Sequence, residues 1–284
     1  MQEIRIFDAD IGITAPIRFS HAKTERAPSG SAYHMHDCLE IYIYVAGDVD
    51  FLVGDTYYRL KRGDVIFTLA NELHRPVIRG AGEYERFYIQ IPDAAFATLP
   101  FGGEGPLDRF LRARSGERLI DTDEETREEI LSLLASLSRR LRKEDAKYLA
   151  FADLLHLLAL LNRHTAAPPR AAVPSPLVGA VLKHVADNAL SLSGVREIAA
   201  HFHVHPSYLS STFSAEMGSG LKQYLIHKKI SAAKELLSSG KSVTEVCYLV
   251  GFGTASHFID TFRAVVGTTP GAYQKATRKE MKNK

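Results

Sequence analysis

Short apolar and alternating runs fill the chain from about residue 4 to residue 91, and turn residues separate them. The runs read IYIYVAG, VDFLVG, TYYRLKRG and DVIFTLA, and Gly-Asp pairs recur at strand ends, at residues 47–48, 54–55 and 63–64. A period of two places alternate side chains on opposite faces of a strand, while Gly and Asp supply turn geometry. The pattern predicts an antiparallel all-β unit with closely spaced strands, which is typical of a small barrel or sandwich.

A helical period replaces this alternation between Asp123 and about Arg163. Apolar residues three and four apart form one stripe at Ile130, Leu133, Leu134, Leu137 and Leu141, and a denser one at Leu149, Leu154, Leu155, Leu157, Leu158 and Leu161. Two helices are therefore predicted. The second is apolar over much of its circumference, more than one barrel face requires. We expect a homodimer contact through residues 124–164, with simple packing on the barrel as the alternative.

The clearest boundary is the segment TAAPPRAAVPSP at residues 165–176, which holds four prolines and four alanines. Such a composition is typical of an extended, semi-rigid spacer. It divides the chain into a first domain at 1–164, a linker at 165–176 and a second domain at 177–284. The second domain is predicted to be wholly helical, with Ser175 as the N-cap of its first helix and Pro176 at the first helical position. The fold class is thus α+β with two domains.

An internal repeat lies within the second domain. At a constant offset of 49, HPSYLSSTFSAEMGSGLKQY at 205–224 matches TASHFIDTFRAVVGTTPGAY at 254–273, and just upstream the offset is 48. The matched pairs are Leu209/Phe258, Thr212/Thr261, Phe213/Phe262, Gly218/Gly267, Tyr224/Tyr273 and Ala199/Cys247. Each copy reads as a helix, a short turn and a second helix that Gly ends. This is the pattern of a helix-turn-helix, whose second helix enters a DNA major groove. A helical hairpin that only packs is the alternative.

The sequence GFGTASHFIDTFRAVVGTTPGAY closely resembles the second helix-turn-helix of the arabinose-regulator (AraC) family of transcription factors. The first copy and the connecting segment YLIHKKISAAKELL resemble the rest of that DNA-binding domain, so the resemblance extends from residue 177 to about 275. It implies two helix-turn-helix units that read successive major-groove segments roughly 34 Å apart, with activation through RNA polymerase. By position, the base-contacting residues are Ser207, Ser210, Ser211, Ala255, Ser256, His257 and Asp260. The first set holds no arginine for a bidentate guanine contact.

Composition and charge agree with a DNA partner. Hydrophobic residues make up 45% and charged residues 24%, as in an ordinary globular protein. Residues 177–284 carry 13 Lys/Arg against 7 Asp/Glu, a net +6, whereas residues 1–176 carry 22 against 26, a net −4. A basic domain attached to an acidic one favours an anionic polymer as partner. No apolar run approaches membrane-spanning length and no signal peptide opens the chain, so a cytoplasmic protein is expected, with Cys38 and Cys247 as thiols.

Two histidines and a glutamate in the segment YHMHDCLE point to chemistry in the first domain. His34, His36 and Glu40 with Gly47 read H-x-H-x3-E-x6-G, and Gly63 is followed eleven residues later by His74. Together these resemble the two motifs of the cupin barrel. In metal-binding cupins the matching residues are ligands, which implies Zn, Fe, Ni or Mn at His34, His36, Glu40 and His74. Leu69 and Asn71 depart from the second motif, where cupins usually have Pro and Gly.

Three interpretations of this cluster stay open. The residues line an effector pocket without metal, or hold a metal that orients an effector or is itself sensed, or form the centre of a metal-dependent cupin enzyme. The first interpretation needs no cofactor. It predicts an effector site at Arg18, His34, His36, Glu40, Tyr42 and His74, near Tyr33, Tyr44, Arg75 and Gln90, that suits a hydroxylated or acidic small molecule such as a sugar or organic acid. We therefore expect a DNA-binding regulator, an activator controlled by a small molecule, and not an enzyme; a metal-dependent enzyme or metal-responsive regulator is the alternative.

Overall fold

The computed structural model describes residues 2–6, 16–25, 33–92, 95, 118–120, 122–143, 146–161, 163, 166–167 and 174–282. The described residues form two compact units: residues 33–35 and 71–75 group with 174–282 in the second unit, and the others make up the first. Among the described helices, none has the length and hydropathy that a membrane span requires.

Ten strands form two sheets in the described part of the first unit. In chain order they are β1 (Gln2–Ile6), β2 (Ile17–Thr24), β3 (Cys38–Ala46), β4 (Val49–Val53), β5 (Thr56–Arg59), β6 (Val65–Thr68), β7 (His74–Ile78), β8 (Tyr84–Pro92), β9 (Leu119–Ile120) and β10 (Ala166–Ala167). The larger sheet has the order β1-β2-β8-β3-β6-β9-β10 and is antiparallel throughout; the smaller has the order β5-β4-β7. The antiparallel all-β prediction is confirmed. The last strand lies inside the segment read as a linker.

The two faces of the larger sheet have different neighbours. On one face Phe19, Ile89, Ile41 and Phe67 stand side by side across four strands and belong to a buried cluster that includes helical residues such as Leu134. On the opposite face Tyr42 and Ile66 belong to a cluster with Phe51 and Tyr58 of the smaller sheet. Since successive side chains of a strand point to opposite faces, the alternation in the sequence has a physical cause. One face packs on helices, and the other faces the smaller sheet.

Two helices complete the first unit, as the sequence predicts. Helix α1 (Glu124–Arg140) begins after Asp123, whose carboxylate accepts a hydrogen bond from the backbone N–H of Thr126 at 2.8 Å. Helix α2 (Lys147–Leu161) is joined to it by an ion pair of 2.6 Å between Arg140 and Asp153. One face of α2 is buried, whereas Tyr148 and Leu149 are exposed, at 62% and 55%.

The described part of the second unit contains seven helices. They are α3 (Pro176–Asn188), α4 (Val195–His201), α5 (Pro206–Met217), α6 (Leu221–Ser238), α7 (Val243–Leu249), α8 (Ala255–Val266) and α9 (Pro270–Lys282). Ser175 caps α3, as predicted, and accepts from the N–H of Val178 at 3.4 Å. Gly218 and Gly267 end α5 and α8 in the left-handed region, with φ of 60° and 83°. A glycine tolerates this conformation without steric cost.

The repeat positions form the interior of both helix-turn-helix units. Leu209 and Phe213 of α5, and Phe258 and Phe262 of α8, are completely buried. In the second copy, a buried lysine of α6 links the connecting helix to the turn, since Lys229 Nζ donates to the carbonyl oxygen of Gly251 at 3.0 Å. Burial lowers the pKa of Lys229, as expected for an ammonium group withdrawn from water. The buried lysine therefore holds the turn that precedes α8.

Candidate DNA-binding surface and effector site

Helix α8 exposes all four residues predicted to contact bases in the second unit, Ala255, Ser256, His257 and Asp260. The helix starts at Thr254, whose hydroxyl accepts from the backbone N–H of His257 at 3.3 Å. Its buried positions lie four apart on the opposite face, which fixes which side of the helix is outward. The face that a major groove would receive therefore consists of small polar residues, one imidazole and one carboxylate.

The charge on this face is partly balanced locally. Asp260 forms an exposed ion pair of 3.0 Å with Arg263, one turn along the helix. The imidazole of His257 meets the ring of Phe252 edge to face, with centroids 5.2 Å apart. A carboxylate alone would repel phosphate, but the neighbouring guanidinium reduces this repulsion and can itself bind phosphate. Asp260 and Arg263 thus act as one polar group.

Helix α5 presents a different chemistry. His205 caps it through Nδ1, which accepts from the N–H of Ser207 at 3.3 Å. The hydroxyls of Ser210 and Ser211 donate to the helix backbone, at 2.8 Å to the oxygen of Pro206 and at 3.0 Å to the oxygen of Tyr208. Because a hydroxyl has one proton to donate, these two serines can only accept from a base.

In the first unit, four polar residues form a row across neighbouring strands. Arg18 pairs with Gln90, Gln90 with Glu40, and Glu40 with Thr68. Side chains of residues directly opposite one another lie on the same face, and this face also carries Tyr42, two residues from Glu40. The structure therefore brings Arg18, Glu40 and Tyr42 of the predicted effector site onto one face of one sheet.

Hydrogen bonds organise this row around Glu40. Its carboxylate oxygen Oε2 accepts from Gln90 Nε2 at 2.8 Å and lies 3.1 Å from His36 Nε2. The carboxylate is almost completely buried, whereas the imidazole is half-buried. Deeper on the same face, the hydroxyls of Tyr42 and Tyr84 are 2.9 Å apart. Burial raises the pKa of Tyr42 well above its ordinary value and that of Tyr84 to about 12, so both phenols are protonated at neutral pH.

The predicted metal ligands form two pairs, one in each unit. In the second unit a β-bridge joins His34 to His74, with ring centroids 4.4 Å apart. In the first unit His36 Nε2 lies 3.1 Å from a carboxylate oxygen of Glu40. Three imidazoles and one carboxylate fit a first-row transition ion.

One residue of the polar row was missed in the sequence. Thr68 is 1% exposed, and its hydroxyl oxygen has no hydrogen-bond partner within the described ranges. A buried polar group without a partner is costly, which marks this position as one where a bound molecule would supply the partner. The sequence gives no signal for Thr68, because DVIFTLA reads as an ordinary core strand and only the pairing of β6 with β3 places the residue in the row.

A sensor-type β unit followed by two helix-turn-helix units defines a DNA-binding transcription regulator. Comparison with protein families agrees: residues 24–161 match the AraC-like ligand binding domain, and residues 198–276 match a helix-turn-helix domain. The chain belongs to the AraC-type family of transcription regulators, as its sequence predicts.

The chain is similar to several bacterial regulators over most of its length. It is 24% identical over 264 residues to an uncharacterized HTH-type transcriptional regulator, YfiF, of Bacillus subtilis, covering 85% of this chain and 78% of YfiF. It is 27% identical to the HTH-type transcriptional activator RhaR of Pectobacterium carotovorum, covering 85% of each. It is 20% identical to the melibiose operon regulatory protein of Escherichia coli, covering 86% and 84%. The alternative of a metal-dependent enzyme is not favoured by these relatives.

Proposed function

We propose that this regulator is a transcription activator that responds to a hydroxylated or acidic small molecule, such as a sugar or organic acid, bound on the polar row of the first unit. The unsatisfied buried hydroxyl of Thr68, beside Glu40, is the observation that carries the proposal. The effector would shift the regulator between two states only if it binds them with different affinity.

The row offers complementary groups for such a ligand. Arg18 is exposed at one end and suits a carboxylate, while Glu40 accepts from hydroxyl groups and Thr68 both donates and accepts. The aromatic ring of Tyr42 lies on the same face and supplies apolar contact. Sparse polar groups on an otherwise apolar surface are typical of small-molecule sites.

A thermal-shift screen of the full chain against sugars and organic acids tests the proposal, since a ligand that binds only the native state raises the melting temperature. Thr68→Val keeps the shape of the side chain and removes the hydroxyl. Without ligand, we expect an unchanged or higher melting temperature, because burial of an unpaired hydroxyl is unfavourable. We expect effector binding to weaken roughly five- to tenfold. Thr56→Val, at the edge of the smaller sheet, is the matched control. Equal affinities of Thr68→Val and wild type would contradict the assignment.

A bound metal is a second candidate, supported by the donor chemistry of three imidazoles and one carboxylate at His34, His36, Glu40 and His74. The ion would orient the effector or be sensed itself; its chemistry is that of a Lewis acid with open positions for ligand oxygens. Elemental analysis of the purified full chain should give close to one transition ion per chain, and the double variant His34→Ala/His74→Ala should lose it. Equal metal content in both proteins would refute the proposal.

We also infer a homodimer formed through residues 124–164. The exposed apolar side chains of Tyr148 and Leu149 support this, because large apolar groups that cluster at a surface usually mark an interface. Sedimentation of Leu149→Glu should show a monomer, whereas Lys61→Glu, an exposed charge reversal outside residues 124–164, should sediment like the wild type. A dimeric Leu149→Glu would place the interface elsewhere.

Activation would proceed through RNA polymerase in the cytoplasm, where DNA and polymerase are found, and without catalysis by the regulator. The similarity to RhaR, a transcriptional activator by name, supports activation over repression. The similarity to further transcription regulators supports a protein without catalytic activity. In vitro transcription with purified polymerase tests this. Effector-dependent stimulation is the expected result, and effector-dependent inhibition would make the protein a repressor.

A further inference from the structure

The internal repeat identifies an unassigned residue on helix α5. At the offset of 49, Tyr208 occupies the position that His257 holds on α8. Tyr208 is 56% exposed and lies on the outward side of α5 beside Ser211; among the described aromatic residues of this unit, Tyr248 on α7 is more exposed, at 71%. If α8 presents His257 to DNA, the same geometry presents Tyr208.

The neighbouring serines increase the importance of this tyrosine. Ser210 and Ser211 have already donated their hydroxyl protons to backbone carbonyl oxygens of α5. They are also short, so they reach little of a groove. Tyr208 carries the long polar side chain of this face, and its hydroxyl is both donor and acceptor.

We propose that Tyr208 contacts the sugar-phosphate backbone of DNA where α5 meets the major groove, its phenolic hydroxyl donating to a phosphate oxygen. The residue lies in the first turn of a twelve-residue helix, where the helix dipole and the exposed backbone N–H groups favour a phosphate. Tyrosine is among the side chains that commonly bind phosphate oxygens, and such contacts position a protein without reading bases. The unit built on α5 therefore positions the protein on DNA, and base readout is concentrated in α8.

The test uses the full chain and a duplex selected from a random-sequence library, together with an unrelated duplex of equal length. Tyr208→Phe removes only the hydroxyl, and Tyr248→Phe, the same change at an exposed tyrosine of α7, is the control. Tyr208→Phe should lower the affinity for both duplexes about tenfold, the effect of losing a hydrogen bond to a charged group, while Tyr248→Phe should stay within about twofold. The salt dependence should not change, because a neutral donor releases no counterion.

Thermal melting of each variant shows whether the fold is intact, and an exposed tyrosine predicts no change. Wild-type affinity of Tyr208→Phe for both duplexes would overturn the proposal. So would a loss confined to the selected duplex, or a changed base preference in a repeated selection, since either result would make Tyr208 a base-reading residue.

Discussion

Gly251, in the turn between α7 and α8, gives the sharpest test of how the second helix-turn-helix is built. Its φ is +71°, in the left-handed region, and a Cβ added there would overlap the carbonyl oxygen of Leu190 and lie 2.8 Å from Lys229 Nζ. The carbonyl oxygen belongs to backbone and cannot rotate away as a side chain would. Gly251→Ala therefore combines backbone strain with a steric overlap that only a shift of the turn can relieve.

The magnitude follows from the two contributions. An L-residue in the left-handed region costs roughly 1–2 kcal/mol, and overpacking a well-packed site costs roughly 1–3 kcal/mol. Their sum, about 2–5 kcal/mol, is a large share of the 5–15 kcal/mol that stabilises a typical domain. For a domain of about 100 residues, each kcal/mol lowers the melting temperature by roughly 4–8 °C. We expect a fall of at least about 8 °C.

Two other glycines separate the contributions. Gly267→Ala meets the same backbone strain, with φ of +83°, but its Cβ would have nothing within 4 Å, so we expect a loss of about 1–2 kcal/mol. Gly253→Ala has neither problem and should be neutral or slightly stabilising. We expect the loss of melting temperature, measured by calorimetry of the full-length variants, to increase in the order Gly253→Ala, Gly267→Ala, Gly251→Ala. The loss of DNA affinity should follow the same order. Equal melting temperatures of Gly251→Ala and Gly253→Ala would contradict the reasoning from the turn geometry.

Two further predictions concern charge. The rings of His184 and His201 are stacked 3.9 Å apart, and burial together with the neighbouring imidazole lowers the pKa of His184. The free energy of unfolding should therefore fall as the pH drops through about 6.5. In urea unfolding between about pH 7.5 and 5.5, His184→Phe should reduce this pH dependence; an unchanged pH dependence would contradict the prediction. Asp50 has a completely buried carboxylate paired with Arg59 at 3.0 Å and Arg79 at 2.6 Å. Asp50→Asn should cost about 1–3 kcal/mol in thermal unfolding, less than a fully buried pair because both arginines are partly exposed; an unchanged melting temperature would refute it.

Much of the fold was predictable because local patterns report local physics. The alternation that ends in turn residues predicted antiparallel strands, and Ser175 with Pro176 predicted the start of α3, since both depend on a few neighbouring residues. The strand Ala166–Ala167 was harder to predict, because a proline-rich segment is typical of a spacer. It becomes a strand only through its pairing with β9, which is distant in sequence. The boundaries at residues 164 and 177 remain predictions from composition.

The residues of the candidate site also differ in how far the sequence predicts them. His34, His36, Glu40 and His74 were recognisable because a sequence motif carries them. Thr68 belongs to no motif; it joins the site because β6 pairs with β3 in one particular register. Register depends on long-range packing, so residues that reach a site only through strand pairing cannot be found by reading along the chain.

The two copies of the helix-turn-helix show why the fold was easier to predict than the DNA sequence that it binds. Buried Leu and Phe, a cap at the start and a left-handed Gly at the end recur in both copies, because each is required to form the same unit. The outward residues have no such requirement, and they differ: back-bonded serines and a tyrosine on α5, a histidine and an ion pair on α8. Since outward residues contribute little to folding, they are free to vary with the operator. The repeat therefore identifies which positions face outward, but not which residues occupy them.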